Sequence, residues 1–304
     1  MIDILAALVP IFCVIILGTL LRYLNFPGDA FWPLSARLVY FVLFPALLVN
    51  TLAPADLSNA AVLPLGLSAI LAVMTIAVGL VLIKLVVPLE NRAFTSIFQG
   101  TIRHNTYVGL AAAASLFGPP GVALTAILLA FIIPLVNVLC VSALSYYNAE
   151  TKVSLIGVIK SMAKNPLILA CAVGIGLNLT GLGLPLGSGE VLAILSRAAL
   201  PLGLLIVGAG LNLGSITQST PAILFSSGLK LILYPWLIAS GCTWLGVTGD
   251  ALAIAVLFGS LPTATSAYIL AIELCGDARL MAAIITGQTL FAAATMPLVL
   301  IWLT

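Results

Sequence analysis

The sequence predicts an all-α membrane protein. Ten transmembrane helices are expected in two inverted five-helix repeats, with helices 4 and 9 broken and crossing. Three observations predict it. Hydrophobic residues make up 62% of the 304 positions and charged ones 7%, with a mean hydropathy of +1.29, whereas soluble domains carry about 25% charged residues. The chain also repeats itself at about half its length: Pro10 and Pro166 are 156 positions apart, as are Gly18 and Gly174, and Pro45 and Pro201. Pro64 and Pro221 are 157 apart, and Phe98 and Phe258 are 160 apart. Finally, basic residues gather on alternate links between apolar segments, as the positive-inside rule requires of a multi-pass chain.

A helix needs about 20 mainly apolar residues to cross a hydrocarbon core of ~30 Å. Ten segments qualify: 4–24, 35–53, 62–84, 94–117, 121–146, 165–182, 191–213, 221–245, 250–274 and 279–303. The first has no basic region before it and no small-x-small cleavage site, so it reads as a retained span and not a signal peptide. Phe26-Pro27-Gly28 ends it, Gly118-Pro119-Pro120 separates the fourth span from the fifth, and Gly181-Leu182-Gly183-Leu184-Pro185 closes the sixth. Long unbroken apolar runs exclude a membrane β-barrel, whose segments alternate over ~10 residues. The links are short, and none has the polarity of a soluble domain.

Odd-numbered links and their helix ends hold Arg22, Arg37, Lys84, Arg92, Lys152, Lys160, Lys164 and Arg279. Even links hold no Lys or Arg outright, and Arg197 lies just inside the seventh span. Odd links are therefore expected in the cytoplasm and both termini outside. Five spans per half then make the repeat inverted, with halves 1–150 and 151–304 joined in the Asn148–Lys164 link. Inverted repeats of this kind typify secondary transporters. A net charge of +2 without a basic run excludes nucleic acid as a partner. The five cysteines have no CxxC spacing, so neither disulfides, a metal site nor a cofactor is expected.

Polar residues concentrate inside two spans. The fourth reads Phe98-Gln99-Gly100-Thr101-Ile102-Arg103-His104-Asn105-Thr106-Tyr107, and the ninth reads Phe258-Gly259-Ser260-Leu261-Pro262-Thr263-Ala264-Thr265-Ser266. Proline removes a helix hydrogen bond and clashes with the preceding turn, while glycine eases non-helical backbone. Unwound backbone at this depth is tolerated only where protein buries it or it lines a watery cavity. Two breaks at repeat-equivalent positions of inverted halves can meet at the midplane. Half-helix starts with free N–H groups there would attract an anion.

These residues carry a resemblance to a known family. Arg103-His104-Asn105-Thr106-Tyr107-Val108-Gly109, Ile133-Pro134-Leu135-Val136-Asn137, Lys164-Asn165-Pro166, Leu200-Pro201-Leu202-Gly203-Leu204-Leu205 and Ser260-Leu261-Pro262-Thr263-Ala264 occur in this order along the chain. The sequence thereby resembles the auxin efflux carrier family of bacterial and plant transporters, whose fold is similar to that of bile-acid sodium symporters. The resemblance implies a scaffold of spans 1, 2, 6 and 7 beside a mobile transport domain of spans 3–5 and 8–10. It also implies elevator-type transport of carboxylates, such as malonate-like or auxin-like acids, across a bacterial inner membrane. The partners expected are a small organic anion, membrane lipid and a second copy of the chain in a homodimer.

Candidate substrate ligands follow from side-chain chemistry. Asn105 and Thr106 offer donors and acceptors to a carboxylate, and the resemblance also points to this asparagine. Arg103 keeps its charge, and its fork suits carboxylates; the structural alternative ties it to unwound carbonyls or to Glu273. His104 is the only histidine, and beside a permanent cation a structural hydrogen bond is expected over proton coupling. Pro262, Thr263, Thr265 and Ser266 form the second break. Asn137 is placed to reach the crossing from the fifth span, and Asn50 is a weaker candidate in the second. Lys230 is expected to snorkel towards the cytoplasm; if it does not, it becomes a counter-charge. Gly203, Gly208 and Gly210 give the seventh span a smooth face for close packing or sliding.

An enzyme is not expected, since no Asp lies deep in a span and no Ser–His pair or zinc set is apparent. The competing reading is a sodium- or proton-coupled organic-acid symporter. Sodium symporters of the related fold place an acidic residue in the ninth-span crossing, whereas Glu273 lies seven residues beyond Ser266.

Overall fold

In the computed structural model, residues 2–55, 62–148, 163–185, 187–218 and 220–304 are described, and every regular element among them is helical. In chain order these are α1 (Ile2–Tyr23), α2 (Phe31–Leu52), α3 (Val62–Val86), α4 (Asn91–Ile102) and α5 (Thr106–Tyr147), followed by α6 (Pro166–Leu179) and α7 (Ser188–Ala209). A short 3-10 turn (Leu213–Gln218) leads to α8 (Thr220–Trp244), α9 (Gly249–Gly259), α10 (Ser266–Glu273) and α11 (Ala278–Leu303). Residues 149–162, with Lys152, Lys160 and the expected boundary between the repeats, lie outside the described residues.

Seven helices among the described residues are long and apolar enough to cross a membrane. One of these is the continuous stretch Asn91–Tyr147, which runs through the α4–α5 break for 57 residues. At ~1.5 Å per residue that is well over twice a bilayer core. The expected link at Gly118-Pro119-Pro120 is a sharp kink inside α5, where Gly118 takes φ +62°, a conformation that suits only glycine well. α6 and α9 are apolar but shorter.

Close helix contacts recur at the repeat spacing. Gly18 of α1 lies so near α7 that a Cβ would strike the Leu205 backbone, and a Cβ on Gly208 would strike Ile15. Gly174 of α6 packs less tightly on α2, where a Cβ would come 2.8 Å from the Leu52 Cβ and 3.4 Å from the Val49 Cα. Gly18 and Gly174 are 156 positions apart, as are Val49 and Leu205. Polar contacts lock both pairs: the Thr19 hydroxyl donates to the Gly208 carbonyl at 2.9 Å, and Asn178 Nδ2 donates to the carbonyls of Leu52, Ala53 and Ala55. Such close approach by small residues is how helices associate where lipid removes the hydrophobic drive between them.

Among the described residues two helices contain a π turn, and each turn precedes a proline. Val39–Leu43 in α2 is followed by Phe44-Pro45, and Leu229–Leu233 in α8 by Tyr234-Pro235. Proline cannot donate to the preceding turn and crowds its carbonyl, and a wide turn relieves both problems. Phe44 and Tyr234 end fully buried, aimed into the middle of the molecule. Lys230 departs from expectation. It does not reach towards an aqueous face, and its side chain is 0% exposed.

Candidate functional site

Each of the two polar interruptions is a true helix break. α4 ends at Ile102, and Arg103 and Asn105 take extended backbone before α5 begins at Thr106. Asn105 caps α5, its Oδ1 accepting from the N–H groups of Tyr107 (3.1 Å) and Val108 (3.2 Å), as asparagine does at helix starts. α9 ends at Gly259, and α10 begins at Ser266 after Leu261-Pro262-Thr263-Ala264. Thr265 occupies the cap position of α10 without a side-chain cap bond. Asn105 and Thr265 are 160 positions apart, the same offset as Phe98 and Phe258.

The breaks touch. The Asn105 N–H donates to the Pro262 carbonyl at 2.8 Å, and the Thr263 hydroxyl reaches the Gln99 carbonyl at 3.5 Å. Arg103 Nη2 donates to the Ser266 hydroxyl at 3.3 Å. Gln288 of α11 spans both segments: its Oε1 accepts from the Thr263 N–H, and its Nε2 donates to the Gly100 carbonyl, both at 2.9 Å. Gln288 and Thr263 are 0% exposed. One buried amide thus meets two backbone groups that unwinding leaves unpaired, which would otherwise cost about 1–3 kcal/mol each.

Aromatic rings bracket Asn105. His104 stacks on Phe258 at 4.4 Å between centroids and meets the Tyr234 ring edge-on at 4.9 Å. On the other side, Tyr107 meets Phe44 edge-on at 4.5 Å and lies against Gly203 of α7. The two aromatic–proline turns of α2 and α8 therefore hold the residues on either side of Asn105. The hydrogen bond expected for His104 is not found among the described residues: both ring nitrogens are buried without a partner, because the ring sits between aromatic surfaces.

The donors left over are side-chain groups. Asn105 Nδ2, Arg103 Nη1 and Gln99 Nε2 are buried and have no partner among the described residues. The expected reservoir of free backbone N–H groups is smaller than helix starts usually provide. Asn105 Oδ1 occupies two of them in α5, and Ala267 and Tyr268 N–H donate to Ala264 and Thr265 in α10. Arg103 lies beside Cys140 and within electrostatic reach of Tyr40. It does not pair with Glu273, which is exposed near the end of α10. Thr106 is half-buried at the start of α5, Thr265 lies against Gly210, which caps the end of α7, and Ser266 is exposed. Asn137 is half-buried in α5, three residues before Cys140. Asn50 is half-buried in α2, and neither asparagine has a hydrogen bond to the breaks among the described residues.

Sequence reasoning did not single out Gln288, Tyr234 or Phe44. The aromatic–proline pairs Phe44-Pro45 and Tyr234-Pro235 and a glutamine in the middle of the last span were the available signals. No cluster of three His, Cys, Asp or Glu side chains suited to a metal occurs among the described residues.

No family model matches the chain. It is 35% identical over 135 residues to a protein named "Uncharacterized transporter" from Methanothermobacter thermautotrophicus, a match covering 44% of each chain. It is 26% identical over 317 aligned positions to "Putative malonate transporter" from Rhizobium meliloti, covering 97% of this chain and 94% of the relative. The chain is therefore a multi-pass helical membrane protein related to proteins named as transporters.

Proposed function

We propose that the protein is a secondary transporter of small organic anions, with its substrate site where the two helix breaks touch. The observation that carries this reading is the 2.8 Å bond from the Asn105 N–H to the Pro262 carbonyl, with unpartnered Asn105 Nδ2 and Arg103 Nη1 beside it. An asparagine amide and an arginine fork suit a carboxylate. The relative named for malonate is similar along nearly the whole chain, so malonate is the first substrate to test.

In this reading the chain has ten spans in two inverted repeats and is a bacterial member of the auxin efflux carrier family. The Asn91–Tyr147 stretch crosses twice, bending at Gly118, while α4–α5 and α9–α10 are the broken fourth and ninth spans. The recurrence of the Gly18–Leu205 contact as Gly174–Val49 supports the repeat. The scaffold is α1, α2, α6 and α7, and the remaining helices move the site across the bilayer in an elevator-type motion. The seventh-span face around Gly203 is the surface on which Tyr107 slides. Both termini face outward from the cytoplasmic membrane, and the protein is a carrier and not an enzyme. The inside-negative potential favours anion export by ~2.3 kcal/mol per charge per 100 mV.

The test is a binding screen of mono- and dicarboxylates on purified protein, with and without sodium and across pH. Saturable carboxylate binding is expected. A preference for neutral or cationic ligands would overturn the anion reading, and a strict sodium requirement would favour the symporter alternative.

A further inference from the structure

Lys230 sits in the π turn of α8, wholly buried, and its Nζ has no hydrogen-bond partner among the described residues. Its close neighbour is the Tyr234 ring, 4.4 Å from Nζ to the centroid. Tyr234 in turn meets His104, the residue next to Asn105, so the rings join this amine to the first helix break. An ammonium offers three donors and no acceptor, and burying one unpaired costs far more than losing a neutral hydrogen bond. Contact with an aromatic face offsets only part of that cost.

Among the described residues no carboxylate pairs with Lys230. α4 and α11, which pack on this turn, contain no Asp or Glu, and neither does α8 itself. The charged residues that α4 and α11 do contain, Arg92 and Arg279, are basic and lie at the helix starts. Among the described residues, the side-chain oxygens of Gln99 and Tyr234 are buried near this break without a partner. The Pro262 carbonyl, by contrast, already accepts from Asn105, the Gly100 carbonyl from Gln288, and the Gln99 carbonyl from Thr263, while hard cations want several oxygen ligands at once.

Resting on the organic-anion reading above, we propose that Lys230 is a tethered counter-cation for the crossing site. Its ammonium acts through space across the Tyr234–His104 contact and balances the bound carboxylate, so the loaded site needs no sodium ion. Lys230 is a positioning charge in this account and not a substrate contact.

The experiment is calorimetric titration of the purified full chain with malonate, in sodium chloride and in choline chloride. Monodispersity and melting temperature are measured for each variant. The wild type is expected to bind equally in both salts. Lys230→Gln is expected to weaken binding by about tenfold or more, the scale of a unit charge acting within protein. Lys230→Ala leaves space for a small cation, and added ethylammonium is expected to restore part of the lost affinity. A strict sodium requirement in the wild type would overturn the proposal, and this arm decides it even where the variants do not fold. Folded Lys230→Gln with unchanged affinity would also overturn it, as would folded Lys230→Ala that ethylammonium does not improve. Failure of the wild type to bind any carboxylate would overturn the anion reading itself, and this inference with it.

Discussion

Replacing Asn105 by Asp separates the two duties of that side chain. Its Oδ1 caps α5 through Tyr107 and Val108, while its Nδ2 is buried without a partner among the described residues. Aspartate keeps the acceptor and places a negative charge at a helix start, worth about 0.3–1 kcal/mol to the helix. It loses the amide donor and sets that charge where a carboxylate is proposed to bind. Two like charges about 4 Å apart repel by about 4 kcal/mol at an effective dielectric of about 20. A lost hydrogen bond to a charged group adds roughly 1.5–3 kcal/mol, and Arg103, two residues away, offsets a comparable part. A net loss of about 4 kcal/mol weakens binding roughly a thousandfold. Malonate titration calorimetry measures this, and differential scanning fluorimetry follows the melting temperature, which is expected to change little. Wild-type affinity in a folded Asn105→Asp protein would refute the site. Loss of both affinity and melting temperature would refute the division between capping and binding.

Gln288→Leu leaves the Thr263 N–H and Gly100 carbonyl buried without their partner, at about 1–3 kcal/mol each; a lower melting temperature is expected, and an unchanged one would mean the two breaks do not depend on this bridge. Arg103→Lys keeps the charge but loses the planar fork, so weaker malonate binding than wild type is expected, with Arg103→Gln weaker still; equal affinity in all three would remove Arg103 from the site. Gly208→Ala drives a Cβ onto the Ile15 backbone and is expected to destabilise by about 1–3 kcal/mol. Gly176→Ala, with open space at that point, is expected to leave thermal stability unchanged or slightly raised, and a fall as large as that of Gly208→Ala would refute the close-packing argument.

The sequence alone determined that this protein lives in lipid, where its polar interruptions lie, and that Asn105 and Pro262 belong to comparable breaks. Those conclusions rest on composition, proline and glycine chemistry and the 156–160 offset, all of which are local or periodic and need no three-dimensional pairing. The Gly18 and Gly174 repeat was also legible, though only the fold showed each glycine against a neighbouring backbone. The tertiary structure decided who meets whom. Gln288 lies 25 residues beyond Thr263 and 188 beyond Gly100, and no local pattern links a lone glutamine to two distant backbone groups. Lys230 read as a snorkelling residue because its fate depends on neighbours from α4 and α11, which sequence cannot place. The same holds for His104, whose expected hydrogen bond gave way to Phe258 and Tyr234. A membrane sequence records what each residue costs to bury, and only packing decides which partner meets that cost.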